Sequence, residues 1–289
     1  MIRYSEIFFE SYSMAVEAAY EAYLKIVGGE FPRENAGTQN EIGLYLEFEY
    51  KKWLNTAIEK LAGKTPVEYM NSIDGLDNLM VMFSQGAVIC DDGLPEIYLQ
   101  KLKECGEDAV DALISLAVQS DSCKNDDAFL SPLMAVKVLG KWKVQRAAVP
   151  LIKTLDSEGE ILDLMFETVK DALVDIGSPA LDSIAEALES EKYSQTADEY
   201  LLMAFAEIGK NNRSDKVYAL IKKAFLKMPE KLIAASCLGD YGDGRAIPVL
   251  RGYIDKNGQS PDRETFFEIL SAIKKLGGNT EDIKFKNCL

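Results

Sequence analysis

The sequence predicts an all-α protein made of stacked helical hairpins, and three observations support that prediction. Apolar residues recur three or four positions apart along most of the chain, which is the spacing of one helix face. Almost no stretch alternates between apolar and polar residues, so strands are not expected. A similar segment returns about every 34 residues through the C-terminal two-thirds. One such unit cannot bury its apolar face alone, so neighbouring units must stack.

Residues 1–90 do not follow this period and are predicted to form an N-terminal helical cap over the exposed end of the stack. A long helix rich in aromatic residues is predicted for residues 4–27, followed by a polar turn over residues 28–40. A second helix is expected to reach about Ala62. The sequence TPVE from Thr65 then predicts a short helix with a capping box, in which the threonine and the glutamate cap each other's backbone.

Residues 91–289 are predicted to form one repeat domain. In each unit an apolar helix ends at a loop position, a short turn follows, and a second helix begins. Glycine suits the loop position because it readily adopts the left-handed backbone that ends a helix. These structural turn positions are Gly106, Lys143, Gly177, Gly209, Gly242 and Gly277. The steps from each position to the next are 37, 34, 32, 33 and 35 residues.

The second helix of each unit carries an apolar stripe that should face the core. In one unit the stripe consists of Leu181, Ile184 and Leu188, which are three and four residues apart. Serine is a favourable N-cap and proline is tolerated at the first helical position. Helices are therefore predicted to begin at the pairs Ser131-Pro132 and Ser178-Pro179.

Composition and charge exclude several classes of function. The net charge is −15, from 32 Lys and Arg against 47 Asp and Glu, which argues against nucleic-acid binding and against anionic membrane surfaces. The chain has no histidine, which excludes Ser-His-Asp catalysis, His-ligated zinc and imidazole acid-base chemistry. Paired acidic residues lie mostly in predicted turns or at helix starts, where acids favour the helix dipole. We therefore expect no metal site, no cofactor and no catalytic residue.

The cysteines and the N-terminus predict a cytoplasmic protein. The five cysteines include no CxxC pair and are odd in number, so reduced thiols are expected rather than a disulfide framework. Glu6 and Glu10 interrupt the apolar run that a signal peptide would need. The most apolar window, residues 79–90, is too short and too polar to cross a bilayer.

The segment LGDYGDGRAIPVL, from Leu238 to Leu250, resembles the HEAT-like repeats of the phycobilisome-lyase type. GEDAVDALI and GSPALDSIA, which begin at Gly106 and Gly177, are similar to a shorter-turn variant of the same repeat. The resemblance extends over about residues 91–289. It implies a right-handed α-solenoid whose second helices line a concave face. It also implies structural roles for Asp243 and Arg245, as a turn acid and an arginine that cross-link successive units.

Three related classes can be weighed against the residues. HEAT-repeat hydroxylases bind iron through His-Glu pairs and are excluded by the absence of histidine, and the acidity argues against HEAT-like DNA glycosylases. Bilin lyases remain open, although no residue constellation identifies bilin handling. The segment WLNTAIEKLAGKTPVEYM, from Trp53 to Met70, is similar to part of some bacterial antitoxins of the Xre/MbcA type, but has Ala57 where those carry proline.

The concave face is the predicted functional surface. In the unit after Gly177, three acidic residues lie largely opposite the apolar stripe. They suggest a mildly acidic groove for a basic or mixed-charge peptide. Together with the equivalent positions in other units, the candidate partner-binding residues are Asp111, Lys153, Asp156, Asp182, Glu186, Glu189, Arg251 and Asp255.

Three hypotheses about function follow. The leading one is a non-enzymatic scaffold that binds a protein or peptide partner along the concave face. The second is an enzyme or enzyme accessory of bilin-lyase-like or chaperone-like type, which a strongly perturbed acid or base inside a closed pocket would favour. The third is a regulatory, antitoxin-like module acting through the N-terminal helices, which an exposed apolar patch over Phe8, Tyr12 and Trp53 would favour.

Overall fold

The computed structural model describes residues 2–28, 36–91, 93–119, 126–156, 162–190, 192–257 and 262–285. Within these ranges the regular structure is helical and contains no strand, which confirms the all-α prediction. None of the helices in these ranges combines the length and the apolar character needed to cross a membrane.

Contacts within the chain group it into two compact units, Met1–Met134 and Ala135–Leu289. The sequence instead predicts a boundary at residues 90 and 91, where the repeat period begins. Periodicity and contact density are different properties, so that boundary stays a prediction.

The first unit is built around the aromatic residues of its N-terminal helices. Phe8 and Phe9 are fully buried, and the ring of Phe8 lies 5.4 Å from that of Trp53, which is also buried. Helix α1 packs against both α2 and α4. The helices of this unit, the last of which continues into the second unit, are α1 (Ile2–Ile26), α2 (Ala36–Leu54), α3 (Pro66–Asn71), α4 (Leu76–Ile89), α5 (Glu96–Lys103), α6 (Glu107–Ala117) and α7 (Asp126–Lys141).

The capping box that begins α3 is present as predicted. The Thr65 hydroxyl accepts a hydrogen bond from the Glu68 amide at 3.2 Å, and the Glu68 carboxylate accepts one from the Thr65 amide at 2.9 Å. Pro66 occupies the first helical position, where its missing amide has no helical partner to lose. Short-range sequence chemistry is sufficient to specify this helix start.

The bounds of α2 differ from the prediction at both ends. The helix begins at Ala36, inside the predicted polar turn, of which residues 29–35 lie outside the described ranges. It ends at Leu54 rather than near Ala62. There the side chains of Asn55 and Thr56 donate hydrogen bonds at 2.7 Å to carbonyls four residues earlier. These side chains compete with the next backbone bonds and help to end the helix.

The second unit alternates longer and shorter helices. Helix α9 packs against α11, α11 against α13, and α13 against α15, while α12 contacts both α11 and α13. Short 3-10 segments lead into α8, α10 and α14. The helices wholly within this unit are α8 (Ala148–Lys153), α9 (Leu162–Ile176), α10 (Leu181–Ser190), α11 (Gln195–Asn211), α12 (Asp215–Lys227), α13 (Leu232–Tyr241), α14 (Ile247–Asn257) and α15 (Arg263–Lys275).

Five of the six turn positions have a positive φ angle. Gly106, Gly177, Gly242 and Gly277 have φ angles between 65° and 83°. Lys143 has φ 55°, although a side chain in this region costs about 1–2 kcal/mol. A positive φ angle is therefore retained at position 143 without glycine.

Gly209 is an exception, and its assignment as a structural turn is wrong. It lies inside α11 and does not have a positive φ angle. A Cβ atom at this position would come within 2.5 Å of a methyl carbon of Val217 in α12. Gly209 therefore allows close packing of α11 on α12, and α11 continues past it to Asn211.

Both predicted serine caps are also wrong. Helix α7 begins at Asp126, so Ser131 and Pro132 lie inside it. Proline has no backbone N–H, so Pro132 cannot donate a hydrogen bond to the carbonyl four residues earlier. That carbonyl lies in the first turn of α7, so the missing hydrogen bond affects only the start of the helix. At the other pair, Gly177 takes the N-cap position without a side-chain hydrogen bond, and Ser178 opens a 3-10 segment.

Candidate functional site

The second unit contains an open notch where the end of α10, the start of α11 and the end of α12 meet. Its volume is about 500 Å³, within the range of small-molecule and side-chain binding pockets. The notch residues are Leu188, Leu220, Ala224, Met228 and Pro229, which are apolar, and Glu189, Gln195, Asp198, Lys223 and Lys227, which are polar or charged.

Local capping fixes the helix ends that border the notch. Ser194 accepts a hydrogen bond from the Ala197 amide at 3.2 Å and so caps the start of α11. At the far end of α12, the ammonium of Lys231 donates hydrogen bonds to the carbonyls of Leu226 and Met228. Burial lowers the pKa of Lys231, whose ammonium also lies 5.8 Å from the centre of the Phe225 ring. These contacts satisfy helix-end groups that would otherwise be left unbonded.

Two ion pairs connect α10 to α12, and one of them borders the notch. Asp182 accepts a hydrogen bond from Lys216 at 2.7 Å, and Glu189 accepts one from Lys223 at 2.8 Å. The hydrogen bonds from the lysines lower the pKa of both carboxyl groups. All four side chains are largely exposed, so these pairs contribute little to stability. Their main effect is to neutralise the acidic side of α10.

The eight predicted partner-binding residues lie on several different elements of the chain. Asp182, Glu186 and Glu189 are exposed on α10, and only Glu189 lines the notch. Among the remaining residues, Asp111 belongs to the first unit, Lys153 is the last residue of α8, and Asp156 ends the 3-10 segment that follows α8. Arg251 and Asp255 lie on α14.

The α10 surface has mixed charge rather than the acidic character that the sequence suggests. Helix α12 places Lys216 and Lys223 against two of the three α10 carboxylates. On α14, Arg251 donates a hydrogen bond at 2.6 Å to the carbonyl of Asn279 and also pairs with Asp282. The sequence of a single helix does not reveal these partners, because they lie about one repeat further along the chain.

Asp243 and Arg245 form a contact between successive helices of the second unit. Asp243 accepts a hydrogen bond from the Arg245 amide at 2.9 Å, and Arg245 donates one to Asp215 at the start of α12 at 2.8 Å. The guanidinium also lies 4.3 Å from the centre of the Tyr218 ring. The side-chain hydrogen bond from Arg245 is the main reason that the pKa of Asp243 is lowered.

The lowered pKa of Asp243 predicts loss of its contribution in acid. Because the folded state favours the carboxylate, this contribution is complete above the ordinary pKa of 3.8 and disappears as pH falls through the folded value. At neutral pH, Asp243→Ala should lower the free energy of unfolding by about 1 kcal/mol, as expected for a lost cap. Urea unfolding at falling pH should show the difference from wild type shrinking. An Asp243→Asn control retains capping and should lose less; a pH-independent effect of Asp243→Ala would contradict the assignment.

Sequence reasoning missed the notch and the two lysines of α12, Lys216 and Lys223, that pair with α10. Each ion pair joins residues 34 positions apart, which matches the sequence period. Opposite charges separated by one period were therefore a signal that could have identified both pairs. The notch itself depends on how three helix ends meet, and no local pattern marks it.

The structural features that would favour the alternative hypotheses can also be located. Phe8 and Trp53 are buried in the first unit, so they do not form the exposed patch that would favour the antitoxin-like hypothesis. Burial raises the pKa of Cys237 to about 12, but this thiol lies within packed α13. Over the described parts of the chain, no cluster of three potential His, Cys, Asp or Glu ligands is found. The polar and acidic segment SDSCKNDD, residues 120–127, lies largely outside those parts.

The described cysteines are Cys90, Cys105 and Cys237, and none of them forms a disulfide. Cys123 and Cys288 have no described side chain.

Comparison of the chain with protein-family models, with curated proteins and with solved structures gives no match.

Proposed function

We propose that this chain is a non-enzymatic scaffold of HEAT-like repeats that binds a peptide segment of a partner protein at the notch. The observation that carries the proposal is an open apolar cavity bordered by the exposed Glu189–Lys223 pair. Interfaces of this kind combine a central apolar anchor with a polar rim. The role is recognition, with no chemical step.

The repeat arrangement within this proposal is supported by contacts one period apart. Ion pairs join residues separated by 30 to 35 positions, close to the sequence period. Turns with a positive φ angle recur at the predicted positions Gly177 and Gly242. In a right-handed solenoid, the second helices α10 and α12 would lie side by side on the concave face. The pairs are Asp182–Lys216, Glu189–Lys223, Asp215–Arg245, Asp240–Lys275 and Arg251–Asp282.

The chemistry of the notch selects the proposed occupant. Leu188, Leu220 and Ala224 offer apolar contacts to an aliphatic or aromatic side chain. The rim carries both signs of charge, so the residues flanking that anchor should include an acid and a base. A mixed-charge peptide with one apolar anchor therefore fits better than a uniformly basic one.

A pair of matched substitutions on α12 tests this proposal. Peptides selected from a random display library on the full-length chain should contain the expected anchor and both charges. Ala224→Glu places a carboxylate on the apolar floor and should weaken binding of those peptides at least about tenfold, the equivalent of 1.4 kcal/mol. Isothermal titration calorimetry gives the affinities.

Ala219→Glu provides the control, because Ala219 is exposed on the same helix and does not line the notch. This variant should bind the selected peptides as wild type does. Equal binding by both variants, or selection of peptides without an apolar anchor, would count against the notch as the binding site.

A further inference from the structure

The exposed side of α2, in the first unit, carries a pattern that the proposed function does not use. Leu44 and Phe48 lie one helical turn apart and are 60% and 64% exposed. Exposed Glu41 precedes them, and exposed Lys51 follows them; the Lys51 ammonium also donates a hydrogen bond at 2.7 Å to Glu47 on the same helix. Steps of three, four and three residues place all four side chains in one line along the helix, which we call the α2 stripe.

The opposite side of α2 is already occupied by the fold. Its aromatic residues pack against α1, with the Tyr45 ring 5.6 Å from Tyr23 and the Trp53 ring 5.4 Å from Phe8. The α2 stripe therefore does not belong to that contact with α1. At Gly43, beside the stripe, an added Cβ would meet nothing within 4 Å. The surface next to Leu44 is open in the described unit.

We propose that the α2 stripe is a homodimer interface in which the α2 helices of two copies pack antiparallel about a two-fold axis. An axis midway between Leu44 and Phe48 places each Leu44 against the Phe48 of the other copy. The same operation places each Glu41 opposite the other copy's Lys51. Such a contact is isologous, because one surface meets an identical surface.

The order of charges selects a second copy in this orientation. An antiparallel pair brings opposite charges together at both ends of the apolar centre, whereas a parallel pair would place Glu41 against Glu41 and Lys51 against Lys51. Association also removes Leu44 and Phe48 from water. With one helix from each copy, the interface is small, so the dimer should dissociate on dilution.

Sedimentation velocity of the full-length chain over a range of concentrations tests the dimer. Wild type should shift from monomer to dimer as the concentration rises. Phe48→Lys should weaken self-association at least tenfold, because it places a charge at the apolar centre. Met14→Lys is the matched control, since Met14 is 69% exposed and belongs to α1 rather than to the stripe. This control should associate as wild type does.

A charge exchange tests the antiparallel orientation. Glu41→Lys and Lys51→Glu should each abolish self-association, because each leaves like charges facing across the dimer. An equimolar mixture of these two variants should form a heterodimer, since every facing pair is then opposite in sign. Circular dichroism checks that both variants remain helical; if either loses helicity, the Phe48→Lys comparison decides.

Three results would overturn the proposal. They are a wild-type chain that stays monomeric throughout, a dimer that Phe48→Lys does not weaken, and folded charge variants that fail to associate when mixed. A monomeric wild type would assign the α2 stripe to a different protein. Because the notch lies in the other unit, peptide binding there can succeed or fail independently of this dimer.

Discussion

Ile184→Ala should lower the free energy of unfolding by about 2–5 kcal/mol, the cost of a large-to-small substitution in a core. Ile184 is completely buried on α10 and belongs to the apolar stripe that the sequence predicts. The loss combines the burial of the deleted carbons with the cavity they leave. Urea unfolding followed by circular dichroism measures the change.

Glu186→Ala is the matched control for this variant. Glu186 lies two residues further along the same helix and is exposed, so its removal should change the free energy of unfolding by no more than about 0.5 kcal/mol. Equal unfolding midpoints for the two variants would contradict the assignment of buried and exposed faces on α10.

The second large effect is expected from a single methyl group at Gly140. A Cβ atom there would lie 2.6 Å from the Cα and 2.8 Å from the Cβ of Ala172 in α9. Because a backbone atom is involved, the two helices must move apart. Gly140→Ala should therefore destabilise the protein by about 1–3 kcal/mol, the usual cost of overpacking. Thermal unfolding should show a lower midpoint.

The same substitution should have the opposite sign at Gly252. This glycine lies inside α14, and a Cβ there would meet nothing within 4 Å. Gly252→Ala should stabilise the protein by about 0.5–1 kcal/mol, because alanine loses less backbone entropy in a helix. A Gly140→Ala variant as stable as Gly252→Ala would show that the close approach of α7 and α9 does not constrain position 140.

Features that depend on a few adjacent residues were predictable from the sequence. The capping box at Thr65 needs only a threonine, a proline and a glutamate at fixed spacing. The positive φ angles at Gly177 and Gly242 likewise follow from the low cost of that backbone for glycine. Even Lys143 adopts this backbone at the position that the period predicts.

Features that depend on distant contacts were not predictable in the same way. Gly209 looks like a turn glycine in the sequence, but Val217 on the next helix determines its role. From the sequence alone, Asp182 is an acidic residue on α10 with no evident partner, but in the structure it pairs with Lys216 of α12. In both cases the sequence indicates a suitable residue type, while its role depends on a neighbouring helix.

The two ion pairs between α10 and α12 also set how far one helix can slide along the other. Asp182 and Glu189 are seven residues apart, as are Lys216 and Lys223, which corresponds to about 10 Å along each helix. A slide of one helical turn, about 5.4 Å, would break both pairs together. Exposed charges that add little to overall stability thus distinguish one alignment of these helices from the next.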